Sequence, residues 1–497
     1  MNRPGARIRV LIWAGLTFGI VVLLLFVAGS LRYDGPGGLV LRVRAEIAAH
    51  RPHPQFVPTP LPTSTRPEAG LPGAPESPAR MGAGAEPHRQ DKAATPTRGA
   101  VATPEVLAMP GGEPGVQPGR SDPAMAPMID PPPVATSRPM AADSAHLPAA
   151  DQSPDPTATP AASATPTPAP TPSPAVAHRP ALAAVELSGL NHMWQKWNNC
   201  GPATLAMYLS YFGPAPEQAE VAAVLKPNWD DKNVNPEEMA AFARSQGLQA
   251  LVRVGGDAEK LRLLLSNGVP VLVETWLELE PGNGMGHYRL LVGYDDASQM
   301  WTAYDSYVSA GVDASKPYQG IRLSYDEVDR LWAVFNRTYI LVYSDETAPV
   351  ILSILGPDAT DELMWQRALQ QAQTEVETDP ADPFAWFNLG TDLVALGRFE
   401  EAAAAYDQAR LIGLPWRMLW YQFGPFRAYY ETGRTQELVA LADATIATEG
   451  NVEEVYYWKG LGLAAQGDIG GARQAWQRAV ELNPNYTEAV AALAEAD

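Results

Sequence analysis

The sequence predicts an α+β domain joined to an all-α repeat solenoid, both carried on an N-terminal transmembrane helix and a disordered Pro-rich linker. Three observations support this. Between residues 184 and 348, helix-like and strand-like apolar patterns alternate without low complexity. From 358 the pattern is wholly helical, and Gly397, Gly433 and Gly467 recur 36 and 34 residues apart. Ahead of both stand an unbroken apolar run and a long segment holding most of the 48 prolines. The 497 residues suffice for two or three domains.

The apolar run is VLIWAGLTFGIVVLLLFVAGSL, residues 10–31. At about 1.5 Å per residue it spans the ~30 Å hydrocarbon layer of a bilayer. Arg3, Arg7 and Arg9 precede it, which predicts a cytoplasmic N-terminus over residues 1–9, although Arg32, Arg42 and Arg44 stand on the other flank. A cleaved signal peptide is the competing reading, with Ala28, Gly29 and Ser30 as a cleavage site. The run is longer than the roughly 7–15 apolar residues of such signals, which favours an uncleaved single-pass anchor in the cell membrane. In both readings the folded parts are extracytoplasmic. Residues 32–183 are rich in Pro, Ala, Thr, Ser and Gly, as in TPTPAPTPSP (165–174). Such a chain cannot bury enough apolar surface to fold, and is expected to form an extended stalk.

Charge and composition narrow the function. A formal net charge of -20 repels phosphate backbones and argues against a nucleic-acid partner. One cysteine excludes an internal disulfide and any multi-cysteine metal site, and no cofactor motif is evident.

In the region 184–348, NNCGPATLAMYLSYFG (198–213) reads as a helix starting beside Cys200. Pro202 suits its first turn and Gly213 its end. A cysteine there meets helix-start N–H groups and the positive end of the helix dipole, which favour the nucleophilic thiolate. A thiolate needs a proton carrier. His287 opens the apolar strand HYRLLVGYDD (287–296), after a glycine-rich and apparently flexible approach at 284–286; His192 is the fallback. The next strand, MWTAYDSY (300–307), returns Asp305 to the end of the hairpin where His287 sits, so Asp305 can orient the imidazole. Asp295 and Asp296 fall in the turn at the far end. Gln195 can add a side-chain amide to the Cys200 N–H as an oxyanion donor. Asn235-Pro236-Glu237-Glu238 starts a further helix; 257–267 is a short helix, 248–255 and 270–276 are strands, 324–332 is helical and 337–343 is a closing strand. Trp194, Trp197 and Trp229 are candidates for cleft walls or for core.

QKWNNCGPATLAMYLSYFG (195–213), GHYRLLVGYDD (286–296) and AYDSY (303–307), in that order, resemble the bacteriocin-processing, double-glycine type of cysteine peptidase, a family of the papain-like superfamily. The resemblance covers about 160 residues. It implies a papain-like cysteine peptidase domain over 184–348, with Cys200 as nucleophile, His287 as base, Asp305 as orienting group and Gln195 as oxyanion donor. There are two departures from the family pattern. No GxxxxGK[ST] phosphate loop accompanies the domain, and Ser306 follows the aspartate where the family usually has Pro.

The helical region 358–497 reads as tetratricopeptide repeats. WFNLGTDLVALGRFEEAAAAYDQA (386–409) and GLGLAAQGDIGGARQAWQRAVELNP (460–484) carry the spacing, the copy over 419–450 is degenerate, 368–380 resembles the second helix of a leading half repeat, and 485–495 caps the stack. Such repeats imply a protein partner on their concave surface, or a spacer that stabilises the neighbouring domain. The expected function is a membrane-anchored thiol peptidase acting on a peptide or protein in its cleft. The alternatives are a catalytically inactive peptide-binding protein on the same fold and an acyltransferase using the same residues.

Overall fold

The computed structural model of the protein describes residues 56–60, 178–278, 283–313 and 315–496. The expected membrane helix over 10–31 and most of the 32–183 stalk lie outside these.

Seven strands build one antiparallel sheet: β1 (Ala184–Glu186), β2 (Gln249–Arg253), β3 (Val271–Glu278), β4 (Gly284–Asp295), β5 (Met300–Asp305), β6 (Ile321–Ser324) and β7 (Tyr339–Tyr343). Their order is β2-β7-β3-β4-β5-β6, with β1 pairing the far end of β4. β3 is apolar apart from Glu274, Thr275 and Glu278, and is buried from Val271 to Leu277, because helices cover both faces of the sheet. On one face lie α1 (Cys200–Leu209), α2 (Gln218–Leu225) and α3 (Pro236–Ser245). On the other lie α4 (Ala258–Ser266), α5 (Tyr325–Ala333) and α6 (Ala348–Leu355). The pleat of β4 sends Leu290 and Val292 to the first core, with Leu205, Tyr208 and Leu272, and Leu291 to the second, with Val271, Leu264 and Trp301.

The local signals act as their chemistry dictates. α3 starts with a capping box between Asn235 and Glu238 and with Pro236 in its first turn. The Asp257 side chain caps α4 by accepting from the Lys260 N–H. Residues 284–286, expected as a flexible approach, are instead the first residues of β4, paired with β3. Their glycines answer to close packing. A Cβ on Gly284 would overlap the Trp276 indole, and one on Gly286 would lie 3.1 Å from the Tyr421 ring.

The remaining chain is helical: α7 (Asp361–Thr378), α8 (Pro383–Ala395), α9 (Phe399–Ile412), α10 (Gly424–Glu431), α11 (Thr435–Thr448), α12 (Glu453–Ala465), α13 (Ile469–Leu482) and α14 (Thr487–Glu495). Gly397, Gly433 and Gly467 take φ of 72°, 69° and 87° at the turns between paired helices, a region that glycine enters freely. In the degenerate middle pair α10 is short, and a 3₁₀ turn over Trp416–Trp420 stands before it. α10 packs on both α8 and α12, so the first helices of successive pairs lie side by side as the inner wall of the solenoid.

That inner wall faces the mixed domain. Asn388 on α8 donates to the Ala333 carbonyl at 2.7 Å, and Asn336 donates to Asp392 at 2.6 Å. At the start of α12, Glu454 accepts from Asn235 at 2.7 Å and from Asn233 at 3.1 Å. Trp276, Leu331, Val334 and Phe335 of the mixed domain share one apolar core with Trp386, Phe387 and Leu389 of the repeats. Within the predicted stalk, residues 56–60 are packed rather than free. Val57 is buried and its N–H donates to the Leu414 carbonyl at 2.8 Å, while Arg410 donates to the carbonyls of Pro58 and Thr59. Phe56-Val57 is an apolar island in a Pro-rich sequence, and the unpaired backbone at Leu414-Pro415 gives it a partner.

Candidate active site

Cys200 is the first residue of α1, packed behind β4; the Thr204 hydroxyl donates to the Tyr288 carbonyl at 3.3 Å and ties helix to strand. His287 and Arg289 alternate on one face of β4, and the register sets Asp305 of β5 opposite Arg289. One carboxylate therefore serves both cations. Asp305 Oδ1 lies 3.0 Å from His287 Nε2, and its Oδ2 accepts from Arg289 Nε at 2.9 Å. The N–H groups of Tyr307 and Val308 also donate to Oδ1, at 2.8 and 2.7 Å. Asp305 is fully buried, and burial alone would raise its pKa. The His287 imidazolium, Arg289 and the loop N–H groups outweigh burial and hold the carboxyl well below its usual range.

With Nε2 engaged by Asp305, the His287 nitrogen left for Cys200 is Nδ1, and the imidazole is the strongest influence that lowers the thiol. Burial would favour neutral imidazole, but the Asp305 charge and hydrogen bond, with the thiol's own bond, raise His287 to about 9. Burial likewise pushes the Cys200 thiol up. The hydrogen bond and charge of His287, the Tyr288 N–H and the Lys226 ammonium prevail, so the thiol lies below its ordinary value. Cys200 is half-buried, whereas His287 and Asp305 are buried.

Gln195 is pinned twice to the loop after β5. Its N–H donates to the Ser306 carbonyl at 2.8 Å, and the Ser306 hydroxyl donates to its Oε1 at 2.9 Å. Fixing the amide oxygen fixes where the NH₂ points. The Ser306 that departs from the family pattern thus holds the candidate oxyanion donor. His192, the fallback base, is turned to another task. Its Nε2 lies 2.8 Å from the Asp305 carbonyl and its ring stacks on Tyr318, with Trp194 edge-on. Trp197 and Trp229 stack on each other 5.9 Å apart, and Trp229 remains exposed.

Four contributors escaped sequence reasoning. Arg289 stands two residues after His287 in a run of apolar residues, and a cation there was a legible signal. Glu274, also within an apolar strand, is paired with Tyr288 in the sheet register. Burial, then the charges of Glu237 and the Cys200 thiolate, raise its carboxyl well above the usual range. Lys226 is buried and donates to the carbonyls of Asn198, Asp231 and Trp229. Nothing in LKPNWDDKN marks it. Tyr421 comes from the repeats. Among the described residues, no group of three or more His, Cys, Asp or Glu is placed to hold a metal ion.

A helix-borne thiol, a strand-borne imidazole and a carboxylate on the neighbouring strand thus stand together on a mixed α/β scaffold. Residues 187–336 match the model of the Peptidase_C39 like family, and residues 453–496 match that of the Tetratricopeptide repeat. The chain thus carries a C39-like peptidase domain followed by tetratricopeptide repeats. Similar solved structures include a C39-like peptidase from Bacillus anthracis, with 16% identity, 32% of this chain and 98% of that chain covered, and a TM-score of 0.26. A double glycine motif protease from an AMS/PCAT transporter, in complex with the leader peptide, has 16% identity, 32% and 94% covered, and a TM-score of 0.24. MamA from Desulfovibrio magneticus, similar to the repeats, has 15% identity, 27% and 84% covered, and a TM-score of 0.23. No curated protein matches the chain.

Proposed function

We propose that this chain is a cysteine peptidase, tethered to the membrane by the apolar run at 10–31 and held outside the cytoplasm, with repeats that bind protein or peptide. The observation that carries the reading is the continuous chain of contacts from Cys200 through His287 to Asp305 and Arg289. Cys200 Sγ, as thiolate, attacks an amide carbonyl, and the oxyanion so formed takes hydrogen bonds from the Cys200 N–H and the Gln195 amide. The tetrahedral adduct collapses, the C–N bond breaks, and His287 gives its proton to the leaving amine. Water then attacks the thioester, His287 takes the water's proton, and the carboxylic acid leaves with the thiolate restored. Asp305 stays ionised throughout and holds the imidazole in register.

The single cysteine provides the test. Iodoacetamide alkylation of the full chain, followed against pH by mass spectrometry, reads Cys200 alone. The thiol should react with an apparent pKa well below about 8.5, and His287→Ala should abolish that shift. An inert thiol, or one that titrates normally in both proteins, removes the catalytic reading and leaves a tethered peptide-binding protein.

A further inference from the structure

β5 pairs with β4 only from Arg289 onward, so among the described residues the edge of β4 over 284–288, which includes His287, has no strand on that side. The repeats fill part of it. Tyr421, which follows the 3₁₀ turn Trp416–Trp420, lays its ring on Gly286, where an added Cβ would come within 3.1 Å of two ring carbons. Arg417 anchors the same turn. It donates to Asn283 Oδ1 and to the Gly284 carbonyl at 3.1 Å, and its guanidinium stacks over Trp416 and Trp420. Phe335 of the mixed domain meets the Tyr421 ring edge-on, 6.1 Å away. Tyr421 is still half-buried rather than enclosed, and the Cys200 charge reaches its phenol.

We infer that the catalytic cleft is composite: the repeat solenoid supplies Tyr421 as a cleft wall beside His287, and this side chain sets how bulky a group can approach the Cys200 sulfur. The inference rests on the peptidase reading and names a specificity-determining residue for it. Two physical points favour it over mere interdomain packing. Gly286 has no side chain of its own, so whatever lies over the strand edge there is the surface a substrate meets. Burial first, with the Cys200 thiolate adding to it, raises the phenol well above its usual range against the opposing Arg417 charge, so the wall stays neutral beside a negative sulfur.

The test compares two reagents with one reactive group and different bulk, iodoacetamide and 5-iodoacetamidofluorescein, on the full chain. Tyr421→Ala should raise the rate ratio of bulky to small reagent about tenfold, an easing of the barrier by the cost of one steric exclusion. Tyr421→Phe keeps the ring and should leave the ratio within about twofold of the parent. Should Tyr421→Ala not fold by circular dichroism, Arg417→Ala loosens the turn from outside the cleft and should raise the ratio at least about threefold. A ratio unmoved in a folded Tyr421→Ala protein, or in Arg417→Ala when that variant is the one that folds, overturns the inference. The pH profile with iodoacetamide alone is a separate readout: if it shows no depressed thiol pKa, the peptidase reading fails, whereas the size ratio continues to report the wall.

Discussion

At the scale of single residues, the site depends on one buried carboxylate shared by two cations. Arg289 does not touch the thiol, yet its charge, with His287 and the Tyr307 and Val308 N–H groups, helps keep Asp305 ionised, and the Asp305 charge is what raises His287. The Cys200–His287 pair titrates as a unit, and its pH dependence can be given a sign. His287 is raised to about 9 from an unfolded value near 6.5. Its contribution to stability is therefore complete below about pH 6.5 and is lost as pH rises through about 9. Cys200 is lowered, so its contribution is present above its unfolded value and lost as pH falls through the folded one. Between these limits the two slopes oppose each other. We expect the parent protein to lose little stability between pH 6.5 and 9, and Cys200→Ala, which retains the Asp305 pull on His287, to lose on the order of 2 kcal/mol over that range in urea titrations. Parallel slopes for the two proteins would refute the ion pair. Lys226 contributes from behind. Replacing it by Gln should raise the Cys200 pKa, by less than His287→Ala does, because it acts through space and not through a hydrogen bond, and the pH profile of alkylation reads both.

Individual elements show which parts of this arrangement a sequence can announce. The start of helix α1 was legible because Pro202 suits its first turn, but the helix ends at Leu209, and Gly213 closes the 3₁₀ turn Ser210–Phe212 that follows it. The hairpin β4–β5 was legible because a short turn at Asp295-Asp296 forces the strands together, and that hairpin alone brings His287 toward Asp305. Lys226 and Tyr421 were not legible, because each reaches the site through tertiary packing, and neither lies in a periodic or motif-bearing segment. The flexible reading of 284–286 failed for a related reason: glycines that make room for Trp276 and Tyr421 look, in sequence, like glycines that make a loop. The junction of α3 with α12 was equally hidden. There Glu454 bridges Asn233 and Asn235, with Glu238, Glu453 and Asp231 close by and the Lys226 ammonium the nearby cation. Burial, reinforced by Glu453 and Glu237 against the Asn235 bonds, pushes Glu238 up to about 7. For a carboxyl raised in this way, stability is present at low pH and is lost as pH rises from about 4.3 through about 7. Lowering the pH from 8 to 6 should therefore raise the melting temperature. Glu454→Gln keeps the acceptor for both asparagines and removes a desolvated charge, so it should stabilise the protein at pH 8 by about 1 kcal/mol and flatten that dependence. A destabilised Glu454→Gln would mean that the charge, and not the hydrogen bonds, holds the junction.

For the molecule as a whole, peptidase-like sheet and solenoid behave as one folding unit. Residues 175–497 belong to a single compact unit, and its apolar core crosses from Trp276, Leu331, Val334 and Phe335 into Trp386 and Phe387. Phe335 is 1% exposed and Trp276 6%. Uncovering four such side chains costs roughly 1.5–3 kcal/mol each, which together is comparable to the about 5–15 kcal/mol that holds an ordinary domain folded. The hydrogen bonds from Asn388 to Ala333 and from Asn336 to Asp392 would be opened as well. The repeats therefore cannot be a detachable module on a self-sufficient mixed domain. Calorimetry of the full chain should show one cooperative transition, with van't Hoff and calorimetric enthalpies equal. Truncation after residue 357 should give a product that lacks near-ultraviolet circular dichroism and binds hydrophobic dyes, as a chain with exposed core surface does. Two separable transitions in the full chain, or a truncated protein that melts cooperatively, would establish independent domains. Tyr421 would then reach the cleft only as often as the two domains happen to dock.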